Sequence, residues 1–326
     1  MLSYSIAIRT LGTAGEKFRE ELLSITYQTV QPERVLVYIA EGYARPTFTV
    51  GQEEYIWEKK GMVAQRILPY AEITSDVIFM LDDDVRLAPD SAERMLKAIE
   101  EYQADCVGAD TFKNHNMPVV KKIYAALTNL VFPHWSDKWA FKIHHNGSFS
   151  YNNYPTKNFY WSQSCAGNAV MLRISVYRQL HFEDEMWLDD LPFAYNDDMV
   201  ESYKIYKNGF RLGVLYDAGC EHLNGCSASA TFRKGSQWVY TRTKAMFIIW
   251  WRMIYQTMPK NSLNKLFVAF YFIIKVTWLF GVMCSVSVMK FMPQHVISYI
   301  NGLRAGWRFV HTVKFQSLRN YVFCNN

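Results

Sequence analysis

The chain has 326 residues, half of them hydrophobic and only 20% charged. That allows one large domain with an appendage, or two modest ones, and excludes a disordered chain. The net charge of +5 conceals an asymmetry: thirteen of the 35 basic residues and none of the 30 acidic ones lie beyond Glu221, so an acidic body at −8 precedes a tail at +13. Such a tail calls for an anionic partner. Its cations alternate with Trp250, Trp251, Phe267, Tyr271, Trp278, Trp307 and Phe309, which favours an anionic membrane surface and sets nucleic acid aside. Cysteines 106, 165, 220, 226, 284 and 324 show no paired short spacing. The run from Cys220 through His222 to Cys226 lacks a fourth ligand, so reduced, buried thiols in the cytoplasm are expected. The start, Met1-Leu-Ser-Tyr-Ser-Ile, has no basic region before an apolar stretch; no signal peptide is predicted, and the sequon Asn146-Gly-Ser148 is then accidental.

In chain order, alternation predicts a strand at residues 4–9, and helical spacing at Phe18, Leu22, Leu23 and Ile25 predicts a helix over 17–26. A β-rich run covers 34–40. A helix is predicted over 63–70, a short apolar strand over 76–81, and a helix over 89–102 with Pro89 in its first turn. Alternation of this kind predicts an α/β fold with a largely parallel sheet covered by helices, its ligand at the carboxyl ends of the strands. Residues 111–160 follow no regular pattern and are rich in Asn, His, Pro and aromatics; so long an excursion inside a compact domain is usually functional. An apolar stretch at 169–172, a helix over 199–207 and a strand over 212–216 complete the body.

The strongest chemical signal is Val77-Ile-Phe-Met-Leu-Asp82-Asp83-Asp84, a hydrophobic strand running directly into three carboxylates. In an extended chain, positions i and i+2 point the same way, so Asp82 and Asp84 are expected to converge. Two converging carboxylates repel, and a hard cation, Mg²⁺ or Mn²⁺, relieves the repulsion while bridging to phosphate oxygens.

With this motif the chain resembles the family-2 glycosyltransferases. The resemblance also rests on Tyr4-Ser-Ile-Ala-Ile-Arg-Thr10, Gln28-Thr-Val-Gln-Pro32, Lys60-Gly61-Met-Val-Ala-Gln65-Arg66, Cys165-Ala-Gly-Asn168 and Asp197-Asp198 followed by Gly209 and Arg211. It implies a GT-A fold, Rossmann-like, with a mostly parallel central sheet and helices on both sides. It also implies inverting transfer from a nucleotide-sugar donor. Position by position, Asp198 would be the catalytic base; Thr10, Glu41, Lys60, Gln65, Arg66, Asp82 and Asp83 would line the donor site; Asp84, Asp82 and His222 would hold the metal. A carboxylate is a fitting base, since an attacking alcohol must lose its proton within hydrogen-bond reach of an acceptor. Two positions depart from the family pattern: only Glu41 is acidic after the second strand, and Lys204 stands where an Arg is usual. Trp161 and Trp187 are candidates to stack on sugar rings.

Lys244-Ala-Met-Phe-Ile-Ile-Trp-Trp-Arg252 suggests a helix lying at an interface, and residues 266–289 are apolar apart from Lys275 and a few hydroxyls, long enough to span a bilayer. Lys275 inside a span would cost about 2.5–3.5 kcal/mol, and a single crossing would strand the later cations on the far side, so embedded or re-entrant helices are preferred. The expected organisation is a GT-A domain over 1–240, with a nucleotide-binding half (1–110) and an acceptor half (111–240), then a helical membrane-associated tail over 241–326. The expected function is a metal-dependent, membrane-associated, inverting hexosyltransferase of polysaccharide biosynthesis. It would move a sugar from a nucleotide sugar, UDP-linked by expectation, to a lipid-linked or glycan acceptor at the cytoplasmic face of the inner membrane. The alternatives are a GT-A-like nucleotidyltransferase and a non-catalytic membrane-tethered binding protein.

Overall fold

The computed structural model describes residues 2–320 except 62, 112–117, 121–122, 124–125, 128–137, 153, 194, 224–234, 260–262 and 291. Much of the irregular 111–160 stretch, together with Cys226, Arg233, Lys234, Lys260 and Cys324, lies outside the described residues.

Strands β1 (Tyr4–Thr10), β2 (Val35–Ala40), β3 (Glu53–Glu58), β4 (Val77–Asp82), β6 (Cys106–Ala109), β9 (Phe159–Trp161), β10 (Ala169–Arg173) and β11 (Leu212–Leu215) form one sheet. Their order is β3-β2-β1-β4-β10-β6-β11-β9. β1 runs parallel to β2 and β4, β2 to β3, and β6 to β11, whereas β10 is antiparallel to both its neighbours and β9 to β11. β1 and β2 are buried along their whole length, as strands covered on both faces must be. Tyr4, Ile6 and Ile8 meet Phe18, Leu22 and Ile25 of helix α1 (Glu16–Thr26) and Met95, Leu96 and Ile99 of α2 (Ser91–Glu101). Ala7, Leu36 and Ile78 face the other way, toward Ile205 of α3 (Asp197–Lys207) and Tyr177.

Three sequence-based expectations need correcting. Residues 63–70 form a few hydrogen-bonded turns rather than a helix. The Asp189 carboxylate takes up the Val63 and Ala64 N–H groups, Pro69 stops any continuation, and Tyr70 sits at φ 46°. β3 escaped notice because its sequence, Glu-Glu-Tyr-Ile-Trp-Glu, is that of a half-exposed edge. The 111–160 stretch contains β9 and a hairpin of β7 (Phe141–Ile143) and β8 (Phe149–Tyr151). In addition, α2 begins at Ser91, two residues beyond Pro89.

Beyond the sheet come α4 (Ser236–Trp250), a π-helical turn at Trp251–Tyr255, α5 (Leu263–Lys290) and α6 (Gln294–Val310); the line between residues 240 and 241 runs through α4. α6 crosses α4 closely because it has glycines at the contact: a Cβ on Gly302 would lie 2.6 Å from the Tyr240 carbonyl, and one on Gly306 2.9 Å from Phe247 Cβ. The tail joins the body through a third apolar cluster, which includes Val200 and Tyr203 of α3, Trp187, Ile248, Met253 and Phe272.

At the centre of that cluster is Glu185, fully buried in the 3₁₀ helix Phe182–Asp190. Its carboxylate accepts two hydrogen bonds from Arg252 (both 2.7 Å), one from Lys204 (2.9 Å) and one from the Trp187 indole (2.8 Å). Burial pushes this carboxyl up, but Arg252 and Lys204 prevail and hold it at about 2. The lysine standing in for the usual arginine thus has a structural partner. Trp187, 2% exposed, is core and not a sugar platform.

Candidate active site

The acidic tip is a turn. β4 ends at Asp82, Asp83 and Asp84 turn, and β5 (Val85–Leu87) restarts at once, so the extended-strand geometry expected to bring Asp82 and Asp84 together does not hold. Each carboxylate engages a different partner. Asp82 accepts a hydrogen bond from Arg9 of β1. Asp83 accepts one from Thr10 Oγ1, which itself accepts from the Gly12 N–H at 2.8 Å. Burial, opposed by Thr10 and reinforced by Asp84 and Asp82, lifts the Asp83 carboxyl to about 6. Asp84 lies 3.0 Å from His222 Nε2. Pairing of β12 (Cys220–His222) with β5 places His222 opposite Val85 and so delivers the imidazole to the tip. The hydrogen bond that His222 donates to Asp84 raises the imidazole pKa against the effect of burial.

Arg66 is the hub on the acceptor side. Its side chain is 10% exposed and its Nη1 donates to Asp198, with Asp197 Oδ2 at 2.8 Å and Glu201 Oε2 at 3.9 Å; its Nη2 lies 3.8 Å from Asp82 Oδ1. One guanidinium therefore joins the acidic tip to the start of α3. Asp198 is the most open of the three α3 carboxylates, its side chain 39% exposed against 12% for Asp197 and 17% for Glu201. Burial pushes the Asp198 carboxyl up, but the charge and hydrogen bond of Arg66, with Arg9 and the Gly167 N–H, hold it below the usual carboxylate range. For Glu201, burial, reinforced by Asp197 and Asp198, outweighs the opposing Arg66 and Arg9 and lifts it to about 8. The backbone comes close here, since a methyl on Gly167 would overlap Asp198 Oδ1 and stand 2.8 Å from Arg66 Nη1. Arg9 also donates to the Gly167 carbonyl at 3.0 Å. A cavity opens among Arg9, Arg66, Gly167, Tyr177, Asp198 and Glu201.

The remaining site residues are peripheral to this cluster. Gln65 is buried, and its amide donates to the carbonyls of Thr10 (3.3 Å) and Tyr38 (3.4 Å), tying the ends of β1 and β2. Glu41, just past β2, is exposed, and Lys60 reaches Tyr43 Oη at 2.7 Å in the same loop region. Neither has a hydrogen bond or ion pair to the Arg66 cluster among the described residues. Trp161 packs under the Arg211 guanidinium at 4.5 Å. Sequence inspection missed Arg9, Gly167 and Glu201 as site residues. A charge inside an otherwise apolar strand signalled Arg9; the i, i+4 spacing of Asp197 and Glu201 signalled a shared helix face.

Asp84 and His222 could hold a divalent cation, a hard carboxylate beside an imidazole. No group of three or more His, Cys, Asp or Glu side chains is arranged as a metal cage among the described residues. The donor set therefore fits a cation that completes its shell with phosphate oxygens and water, as Mg²⁺ does.

The mostly parallel sheet, with carboxylates at the carboxyl end of a central strand joined through Arg66 to a second acidic pair, has the GT-A architecture. Residues 40–168 match the family model described as Glycosyl transferase family 2. Among solved structures, the chain is similar to GalNAc-T7, crystallised with UDP, GalNAc and Mn²⁺, at a TM-score of 0.50 and 12% identity. The match covers 83% of this chain and 55% of that one, so the chain spans little more than half of that structure; at this identity the likeness is one of fold. No curated protein matches the chain. The family-model match is thus confined to residues 40–168, and the structural likeness concerns the fold.

Proposed function

We propose that the protein transfers a sugar, with inversion, from a nucleoside diphosphate sugar to a hydroxyl of a lipid-linked or surface-polysaccharide acceptor at the cytoplasmic face of a membrane. The observation that carries this is the position of Arg66, in contact with Asp82 on one side and Asp198 on the other. The donor and acceptor machinery thus share one cleft.

The donor binds over the carboxyl ends of β1 and β4, with Thr10, Gln65, Asp82 and Asp83 beneath it and Glu41 and Lys60 at the rim. Asp84 and His222 would hold Mg²⁺ or Mn²⁺, which neutralises charge gathering on the departing diphosphate. Arg9 and Arg66 add fixed positive charge in a site shielded from water, where it counts for more than in bulk. Asp198, held ionised by Arg66 and open on its other side, takes the acceptor's proton as the alcohol attacks. A single displacement at the anomeric carbon inverts it. The domain limits follow from the same proposal: a catalytic unit over 1–240, divided at 110, and a membrane-associated tail over 241–326.

The test is a thermal-shift screen of nucleotide sugars with and without Mn²⁺, followed by product analysis. Metal-dependent stabilisation by one donor class and release of a nucleoside diphosphate support the proposal. Release of pyrophosphate would turn it toward a nucleotidyltransferase, and no binding or turnover would leave only a binding protein.

A further inference from the structure

The tail solves one puzzle in its own sequence and poses another. Lys275, the one cation between Lys265 and Lys290, is turned inward: it is 4% exposed and its Nζ donates to the Asn146 carbonyl at 3.2 Å. It shares a stripe with Val268, Phe272 and Leu279, all buried, at spacings of four, three and four residues, one line along a helix. Most of the large apolar side chains on the opposite side of α5 are exposed. Leu266 is 71% exposed, Phe270 59%, Ile273 60% and Val288 75%. So large an unbroken apolar face exceeds what a monomer in water leaves bare.

The inner contacts fix how that face can meet a bilayer. Phe272 stacks on Trp250 with ring centroids 3.9 Å apart, Tyr299 of α6 donates to the Val276 carbonyl at 2.8 Å, and the Trp278 indole donates to the Leu127 carbonyl at 2.6 Å. The middle of the helix at 272–279 is thus held both by α4 and α6 and, through Asn146 and Leu127, by the body. Were α5, about 42 Å long, to stand across an apolar core of about 30 Å, those contacts would lie near its centre. The loop at Asn146 and the backbone at Leu127 would be drawn in with them, leaving polar backbone in hydrocarbon. Lying flat avoids this. Val119, Val120, Ile123 and Leu127 of the acceptor half are also exposed, and Leu127 adjoins α5 through Trp278. The tail also exposes basic side chains, among them Arg304 and Arg308, and no acidic residue lies beyond Glu221.

We infer that α5 lies in the plane of one leaflet of an anionic bilayer, embedded by its outer face without crossing. Val119, Val120, Ile123 and Leu127 dip into the same leaflet beside it, so the acceptor half of the cleft opens at membrane level. This deepens the proposed transfer to a membrane-held acceptor and rests on it for its purpose, but its test needs no acceptor.

Full-length chain is added to vesicles of phosphatidylglycerol mixed with phosphatidylcholine, and to phosphatidylcholine alone. Spin labels are placed singly at L266C, I273C and V288C in a chain freed of Cys226, Cys284 and Cys324, and their immersion depths are measured. The expected results are tighter binding to the anionic vesicles, weakened at least tenfold by Phe270→Asp with Ile273→Asp, and three depths equal within a few ångströms. A graded spread approaching the roughly 33 Å between positions 266 and 288 of an upright helix overturns the flat placement. Absence of binding to either vesicle, or a dimer that buries α5 instead, overturns the membrane assignment. Vesicle binding by a chain that turns over no nucleotide sugar would count against the transfer chemistry alone.

Discussion

Two buried ionic clusters among the described residues, one around Arg66 and one around Glu185, are built on opposite principles. Around Glu185 every charge is answered: two cations and an indole surround a single carboxylate, which is driven down to about 2. Around Arg66 the acids outnumber the nearby cations. Asp197 Oδ2 stands 2.8 Å from the guanidinium without the alignment of a hydrogen bond, and Glu201 Oε1 has no hydrogen-bond partner among the described residues. A satisfied network locks a core, whereas an under-satisfied one at a cleft is typical of a functional site. Both involve α3, which presents Asp197, Asp198 and Glu201 to the first cluster and Lys204 to the second. The helix that carries the candidate base is therefore anchored to the tail through Glu185 and Arg252.

The contrast predicts opposite outcomes. Glu185→Ala leaves Arg252 and Lys204 buried without their counter-ion and should cost about 3–5 kcal/mol in urea unfolding. Asp197→Asn, a comparable change in the other cluster, should cost far less stability while lowering transfer; equal losses in both would remove the distinction. Gly167→Ala should reduce turnover by at least about tenfold, because its methyl displaces Asp198 and Arg66 by a fraction of an ångström or more. Unchanged kinetics would show that the close approach is unimportant.

The pH responses differ in sign. The Glu185 carboxyl is depressed from the ordinary 4.5 to about 2, so its contribution is present above pH 4.5 and lost as pH falls toward 2. Glu201 is raised from 4.5 to about 8, so its contribution is whole below pH 4.5 and drains away as pH rises toward 8. In melting curves across pH 5–8, Glu201→Gln should therefore flatten the decline seen in the parent chain; a parallel decline would mean another group is responsible. The smallest effect belongs to the surface: Glu54→Ala, removing an exposed partner of Arg34, should change stability by no more than about 1 kcal/mol.

The parallel strands and their covering helices were legible from apolar alternation at Tyr4–Thr10 and an apolar run at Val35–Ala40, set against the helical spacing of Phe18, Leu22 and Ile25. The edge strand Glu53–Glu58 was not, because one exposed side leaves its composition polar. Residues 63–70 have helical spacing, but Pro69 and the left-handed Tyr70 leave too little chain to propagate beyond a turn. The Asp-rich tip and the pair at 197–198 stood out as motifs. Their connection through Arg66 spans 132 residues in sequence to Asp198 and emerges only once the chain is folded. Lys275 read as a liability within an apolar helix until its partner, a backbone carbonyl 129 residues away, came into view.

The most direct measurement is turnover and donor binding by Asp198→Asn, made on one preparation. If the carboxylate held by Arg66 opposite the acidic tip is the base, transfer falls by about 10²–10⁴-fold while metal-dependent binding of the nucleotide sugar persists nearly unchanged. Transfer at the parental rate would contradict the account.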